Sequence, residues 1–372
     1  MAILVFLTFW ENICLALRSK PDSYGLLDGN NLPTISVIDL PPSYVTELGA
    51  AYCGDSLDLL AMLPDNSVNL VMTSPPFALQ REKEYLNRSG NKAQEDYVEW
   101  LAKFGSLVLQ KLRDDGSFVI DIGGAYVKGA PERALYPFRV LLKFCDDLGF
   151  KLAQDFYWNN PAKLPSPIEW VNKRKLRAKD SVNTVWWFSK TQWPKADVRK
   201  VLAPYSERMK LLIKDPAAFY KPGTRPSGHQ IADRFGKDNG GAIPSNLLQI
   251  PNTESNGRYL SACKLVGAQQ HPARFPARLP EFFIRLLTEP GDLVVDIFAG
   301  SNTTGAVAEI ERRRWLAFDL SSEYIAASSF RFVDEDLPTD TMKNIYERIG
   351  QGENIDIRQF VHQGILLESS IS

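Results

Sequence analysis

The run Leu293–Ile310, "LVVDIFAGSNTTGAVAEI", decides the fold. Its first eight residues, Leu293–Gly300, are almost continuously apolar, as expected of a central parallel strand covered on both faces. Small residues then follow at Ala299, Gly300 and Ser301, where a ligand can approach the backbone. The next segment is patterned as a helix, and a helix start presents unpaired N–H groups. A second strand, "RWLAFDLS" (Arg314–Ser321), contains Asp319 close to its end. An acid after the second strand of such a unit is placed to accept the hydroxyls of a ribose. The two pieces together read as a nucleoside-binding half-fold. The GxGxxG fingerprint of dinucleotide enzymes is absent, and so is any "GKS" or "GKT" phosphate loop.

Outward from this unit, strands and helices alternate. "AAYCGDSLDLLAMLP" (Ala50–Pro64) reads as strand, turn and helix, and "SVNLVMTS" as a strand. Glu95–Leu112 has helical spacing, Asp114–Gly116 reads as a turn, and Ser117–Gly124 as a strand. Tyr136–Gly149 is a helix with a glycine stop, and Lys151–Pro161 is a strand running into a loop. A further helix is expected over about Leu279–Thr288. Such alternation predicts an α/β fold, with a mostly parallel Rossmann-like sheet and helices on both faces. Between Pro161 and about Gly267 the pattern fails, and Pro, Gly, Asn, Lys and Arg dominate. The tryptophans there (Trp170, Trp186, Trp187, Trp193) argue that this smaller region folds. The expected organisation is an N-terminal extension (1–45), a first half of the main domain (46–162), an inserted region (163–264), a second half (265–335) and a C-terminal segment (336–372).

Charge marks the same insertion. Lys163–Lys264 holds 19 Lys and Arg against 8 Asp and Glu, within a chain of net charge -1. A basic block inside an otherwise acidic chain suggests a surface for a polyanion. Lys173, Arg174, Lys175, Arg177 and Lys179 form its densest run. The four cysteines are far apart and only three histidines occur, so neither a disulfide framework nor a metal site is expected, and the setting reads as reducing and cytoplasmic. The apolar start, "MAILVFLTFW", has no Lys or Arg before it and is closed by Glu11. It reads as a buried strand or helix, not as a secretion signal or a membrane span.

A second stretch carries chemistry: "VMTSPPFALQ" (Val71–Gln80), a strand cut off by a hydroxyl, two prolines and an aromatic ring. Together with "FAGSNTTG" it resembles the DNA amino-methyltransferases, whose strand-end tetrapeptide has the form (Asp/Asn/Ser)-Pro-Pro-(Tyr/Phe). Here it is Ser74-Pro75-Pro76-Phe77. Asn302 stands where the family's cofactor turn usually has Gly, a mild departure because Asn tolerates a left-handed backbone. The tetrapeptide precedes the basic block and the cofactor turn follows it, which is the order of the family's β group. The likeness runs from about Tyr52 to Phe332. "KLPSPIEWVNKRK", "VNTVWWFSK", "TRPSGH" and "HPARFPA" point to its PvuII-type cytosine-N4 members.

The resemblance implies S-adenosylmethionine as cofactor, with no metal, and double-stranded DNA as partner. It also implies roles. The Ser74 hydroxyl and Pro75 carbonyl accept the protons of an exocyclic base amine, Pro76 stiffens the loop, and Phe77 stacks on the extruded base. Phe298, Ala299, Gly300, Ser301, Asn302, Thr303 and Asp319 hold the cofactor. Asp55 meets its adenine amine, and His271, Pro272 and Phe275 wall its methionine end. Asp121–Tyr126 and Phe156–Pro161 border the base pocket, and Trp158 serves either as a second aromatic wall or as core. Region 163–264 recognises a short palindrome such as CAGCTG, acting beside a separate restriction endonuclease. A monomer or weak dimer suffices, since each strand can be modified in a separate event, and DNA binding would keep the protein at the nucleoid. Ring-carbon methylation is not expected, because no cysteine follows a proline. Adenine-N6 transfer stays open, although Ser74 favours cytosine. Further alternatives are a DNA-binding relative that has lost catalysis and, more distantly, a nicotinamide oxidoreductase.

Overall fold

The computed structural model describes residues 38–77, 91–127, 129–216, 237–253 and 257–361. The apolar start, and the expectation attached to it, lie outside these residues. Among the described residues no helix is long and apolar enough to cross a membrane.

The chain forms strands β1 (Tyr44–Val45), β2 (Gly49–Cys53), β3 (Val68–Thr73), β4 (Leu112–Ile122), β5 (Lys151–Asn159), β6 (Val182–Ser189), β7 (Leu247–Gln249), β8 (Leu293–Asp296), β9 (Arg314–Asp319) and β10 (Ile355–Asp356). The α-helices are α1 (Ser56–Met62), α2 (Asn91–Lys111), α3 (Tyr136–Leu142), α4 (Glu207–Lys214), α5 (Arg258–Val266), α6 (Arg278–Leu287), α7 (Thr303–Ile310), α8 (Ser322–Ser328) and α9 (Thr339–Gly350). All ten strands share one sheet, in the order β10-β1-β2-β9-β8-β3-β4-β6-β5-β7. From β2 to β4 the pairs are parallel, whereas β6 runs antiparallel to both β4 and β5. This is the mixed α/β, mostly parallel architecture read from the sequence.

The centre of the sheet sets the site. β3 and β8 are neighbours, in register at Leu70↔Val294 and Val71↔Val295. From β3 the chain passes to β4 on one side, and from β8 it passes to β9 on the other. Strands that diverge in this way leave a crevice beyond their carboxyl ends, the place where open α/β sheets bind ligands. Every residue of β3 is buried, and β8 is buried from Val294 to Asp296. Their apolar runs meet α6, which buries Leu279, Phe283 and Ile284, in one core.

Three boundaries differ from the sequence reading. The expected strand at Leu293–Gly300 ends at Asp296, because Gly300 is left-handed (φ 52°) and turns the chain. Asp114–Gly116 is a bulge inside β4, since the register with β3 slips between Val68↔Leu112 and Leu70↔Ser117. The insertion also contributes β6 and β7 to the main sheet. β6 holds six residue pairs with β4, from Ser117↔Ser189 to Ile122↔Thr184, and its Val185–Phe188 stretch is buried. The strands β1 and β10 join the far edge of the sheet from the two terminal segments.

Candidate active site at the switch point

Strand order places the candidate residues in a row along one edge of the sheet. Asp55 follows β2, Asp319 ends β9, Ile297 and Phe298 follow β8, and Ser74 follows β3. Asp121 lies near the end of β4, Asn183 near the start of the antiparallel β6, and Asn160 just past β5. Adjacent strands are about 4.8 Å apart, so Asp319 and Ser74 stand roughly 10 Å from each other across β8. A single cavity of about 650 Å³ runs along this row and reaches all of them.

The turn after β8 is held by Asp319. Its Oδ2 accepts from Gly300 N–H at 2.8 Å and its Oδ1 from Ser321 N–H at 2.9 Å. Ala299 N–H donates to Phe318 O at 2.9 Å, and Gly54 N–H to Asp319 O at 3.0 Å. Ser56 Oγ donates to Ile297 O at 2.7 Å, which ties the start of α1 to the same turn. Asp55 caps α1, accepting from Leu57 N–H at 2.9 Å, and lines the cavity. Gly300 is required twice. Its φ is left-handed, and a Cβ there would lie 2.9 Å from His271 Cε1. The His271 ring is itself fixed by Nδ1 against Ala273 O at 2.5 Å and by an edge contact with Tyr324 at 4.7 Å. Pro272, Phe275, Phe298, Ala299, Ser301 and Thr303 also line the cavity.

Gly300 does not line the cavity, because the His271 ring covers it, and neither does Asn302. Asn302 adopts the left-handed conformation expected of it (φ 53°), fully buried. Its Oδ1 accepts from Gly305 N–H at 3.0 Å and its Nδ2 donates to Tyr44 Oη at 3.0 Å. The structure therefore places Asn302 as the cap that starts α7 behind the turn.

The loop after β3 is joined to this turn by an aspartate that the motifs do not mark. Asp296, at the end of β8, accepts from Thr73 Oγ1 at 2.6 Å and from Phe298 N–H at 3.1 Å through Oδ1, and from Thr304 Oγ1 at 2.7 Å through Oδ2. Thr73 directly precedes Ser74, so one carboxylate clamps β3, β8 and α7 together. Burial pushes its pKa up to about 6, against the pull of these donors.

Beyond the clamp, Ser74 Oγ donates to Asp121 Oδ2 at 3.1 Å, and Asn183 Nδ2 donates to Asp121 Oδ1 at 3.2 Å. Asp121 is buried, which raises its carboxyl to about 6, while the two hydrogen bonds and the Lys163 charge pull it down. With its proton directed at Asp121, the Ser74 oxygen keeps its lone pairs for another donor. Phe77 lies flat over Gly123, where a Cβ would come 2.2 Å from the ring. Trp158 is both wall and core: it lines the cavity, is 7% exposed, and donates from Nε1 to Ile250 O at 2.8 Å. Two further aromatics, Trp100 and Phe104, also reach the cavity from α2, one helical turn apart, and pack on Phe298 with centroids at 5.5 and 4.9 Å. Among the described residues no cluster of three or more His, Cys, Asp or Glu side chains suits a metal ion.

The dense basic run lies outside the cavity, exposed throughout. Lys173 and Arg174 both pair with Glu169, at 3.2 and 2.9 Å, and Arg174 stacks 5.2 Å over Trp170. Arg177 donates to Pro131 O at 2.8 Å. Lys179 ties the carbonyls of Pro161 and Lys163, both at 3.2 Å. Lys175 has a left-handed backbone, φ 55°.

Comparison with known proteins gives the family. The family model described as DNA methylase matches residues 68–330. The type II methyltransferase M.PvuII of Proteus hauseri is 61% identical over 336 residues, covering 89% of this chain and 99% of that protein. M.ScaI of Streptomyces caespitosus is 26% identical over 284 residues, covering 76% of this chain and 81% of that protein. Among solved structures, the PvuII DNA methyltransferase (cytosine-N4-specific) superposes with a TM-score of 0.72 at 54% identity, covering 86% of this chain and 99% of that one. With its family model spanning most of the sheet and the crevice between β3 and β8, the chain belongs to the DNA methylase family.

Proposed function

We propose that the protein transfers a methyl group from S-adenosylmethionine to the N4 amine of a cytosine extruded from duplex DNA. The observation that carries this is the Ser74–Asp121 hydrogen bond, in one cavity with Asp319, whose carboxylate holds the turn after β8. The residues present fit the cofactor. Asp319 and Asp55 offer carboxylate oxygens to ribose and adenine, Ala299 and Ser301 keep the turn small beside them, and Phe298, backed by Trp100 and Phe104, gives a flat apolar face. When bound, S-adenosylmethionine supplies an electrophilic methyl group on a sulfonium.

The chain's own residues prepare the amine. An exocyclic amine is a poor nucleophile because its lone pair is conjugated into the ring. Ser74 Oγ and the Pro75 carbonyl accept its two protons, which favours a tetrahedral nitrogen and frees the lone pair for in-line attack. Asp121 keeps the Ser74 hydroxyl turned away, so that the oxygen accepts instead of donating, and can receive through Ser74 the proton released on methylation. Pro75 and Pro76 restrict the loop so that the two acceptors converge. Phe77, held over Gly123, stacks on the base.

The exposed basic side chains supply salt-dependent affinity for phosphates. Their present partners are surface groups whose pairing contributes little and exchanges readily for phosphate. By likeness to the PvuII enzyme, the site is a CAGCTG-type palindrome with its inner cytosine modified, in a modification system with a separate endonuclease. Expression in a host lacking DNA methylation, followed by genome sequencing with detection of modified bases, tests the reading. N4-methylcytosine in one short palindrome is expected; N6-methyladenine, or no modification, contradicts it.

A further inference from the structure

The cavity contains acceptors for the amine of a base, but a base is told apart by its whole edge. Cytosine presents N4–H₂, then N3, then the carbonyl O2. Adenine presents N6–H₂, then N1, then a C–H. A donor facing the third position therefore separates the two.

Asn160 is built to be that donor. It lies one residue past β5, in the cavity wall that also holds Ser74, Asp121 and Asn183. Its backbone N–H donates to Ser181 O at 2.8 Å, and its carbonyl accepts from Lys163 N–H at 3.1 Å. Its side-chain Oδ1 accepts from two backbone N–H groups, Ala162 and Asn252, both at 3.1 Å. Two donors converging on one atom fix the amide orientation, since an NH₂ in that place would face hydrogens. The surrounding backbone is stiff: Pro161 follows, and Lys179 ties the carbonyls of Pro161 and Lys163. Every hydrogen-bonding group of Asn160 is engaged except Nδ2, which has no partner among the described residues. Its neighbour Asn183 spends one of the two N–H donors of Nδ2 on Asp121, which holds that amide at the amine end of the pocket.

We infer that Asn160 Nδ2 donates to O2 of the extruded cytosine and so selects cytosine over adenine. This rests on the cytosine-N4 reading and adds the residue that enforces it. Asn160, just past β5, stands two strands beyond β4, and Ser74 follows β3 on β4's other side. The amine acceptors and the O2 donor thus lie on separate strands, with Asp121 and Asn183 between them. A base bridging them is read at both ends of its edge.

The test pairs two variants with a modified target. Asn160→Asp keeps an oxygen for the Ala162 and Asn252 N–H groups and replaces the donor with an acceptor. Asn160→Ser keeps an oxygen, adds no charge, and guards against misfolding of the first. Methyl transfer is measured on duplexes carrying cytosine, adenine or a 2-aminopyridine C-nucleoside at the target. The last keeps the amine and the N3 equivalent but has C–H in place of O2. Wild type is expected to prefer cytosine over aminopyridine by about 10- to 100-fold in kcat/KM, the scale of one buried hydrogen bond. Both variants are expected to lose about that factor on cytosine, to treat cytosine and aminopyridine alike, and to keep wild-type S-adenosylmethionine affinity. A variant that folds and still prefers cytosine over aminopyridine as wild type does overturns the assignment. A wild type that discriminates between them by less than about twofold overturns it as well. Failure of the underlying reading looks different: wild type then methylates the adenine duplex and not the cytosine one.

Discussion

Two regions of the molecule treat their charged side chains in opposite ways. At the switch point, Asp121, Asp296 and Asp319 each face two or three donors, at least one of them from another segment, and burial raises the first two to about 6. Along Lys173–Lys179 the cations are exposed and rest on a neighbouring glutamate, a ring or loop carbonyls. The first arrangement fixes atoms to within the tolerance of a reaction, and changing one member disturbs several strands. The second keeps charge available, and any one member is replaceable. On the proposed function, chemistry is built on strand ends and affinity on the surface.

Substitutions sharpen this contrast, the steepest first. Ser74→Ala removes one of two amine acceptors and is expected to lower single-turnover transfer by about 10²- to 10³-fold, the scale for a preorganised catalytic hydrogen bond. S-adenosylmethionine affinity by calorimetry should not change, and an equal loss of both would place Ser74 in the fold instead of the reaction. Asp319→Ala is expected to weaken S-adenosylmethionine binding by about 1–3 kcal/mol, the cost of losing hydrogen bonds to a charged acceptor. An unchanged Kd removes Asp319 from the cofactor site. The smallest effect is expected on the surface. Lys173→Ala with Arg174→Ala should weaken DNA binding similarly for specific and nonspecific duplexes and lower the slope of log K against log salt by about 2. A loss confined to the specific duplex would make these residues base readers.

Much of the centre was legible because local signals coincide there. Continuous apolar residues marked β3 and β8, small and left-handed residues marked the turn at Gly300 and Asn302, and Pro75-Pro76 marked a rigid strand end. What escaped is long-range. Asp296 reaches Thr73 across 223 residues of sequence and Asn183 reaches Asp121 across 62, contacts that exist only once β8 pairs with β3 and β6 with β4. β6 itself carried a signal, the β-branched and aromatic run "VNTVWWFS", but polar and basic residues on both sides hid it inside the insertion. Trp100 and Phe104 read as an ordinary helical apolar face, and only their packing on Phe298 shows that they back the cavity.

The central claim is that the Ser74 oxygen accepts because Asp121 takes its proton. The direct measurement is the single-turnover rate of methyl transfer from pH 5 to 8 at saturating S-adenosylmethionine and DNA, for wild type and Asp121→Asn. Burial raises the Asp121 pKa to about 6, so the carboxylate form is lost as pH falls through that value. Wild type should therefore slow on an acid limb near pH 6, and Asp121→Asn should be slower at pH 8 and keep only the part of that limb owed to Asp296, whose carboxyl burial also raises to about 6. An unchanged limb in Asp121→Asn, or a wild-type rate flat down to pH 5, contradicts the account.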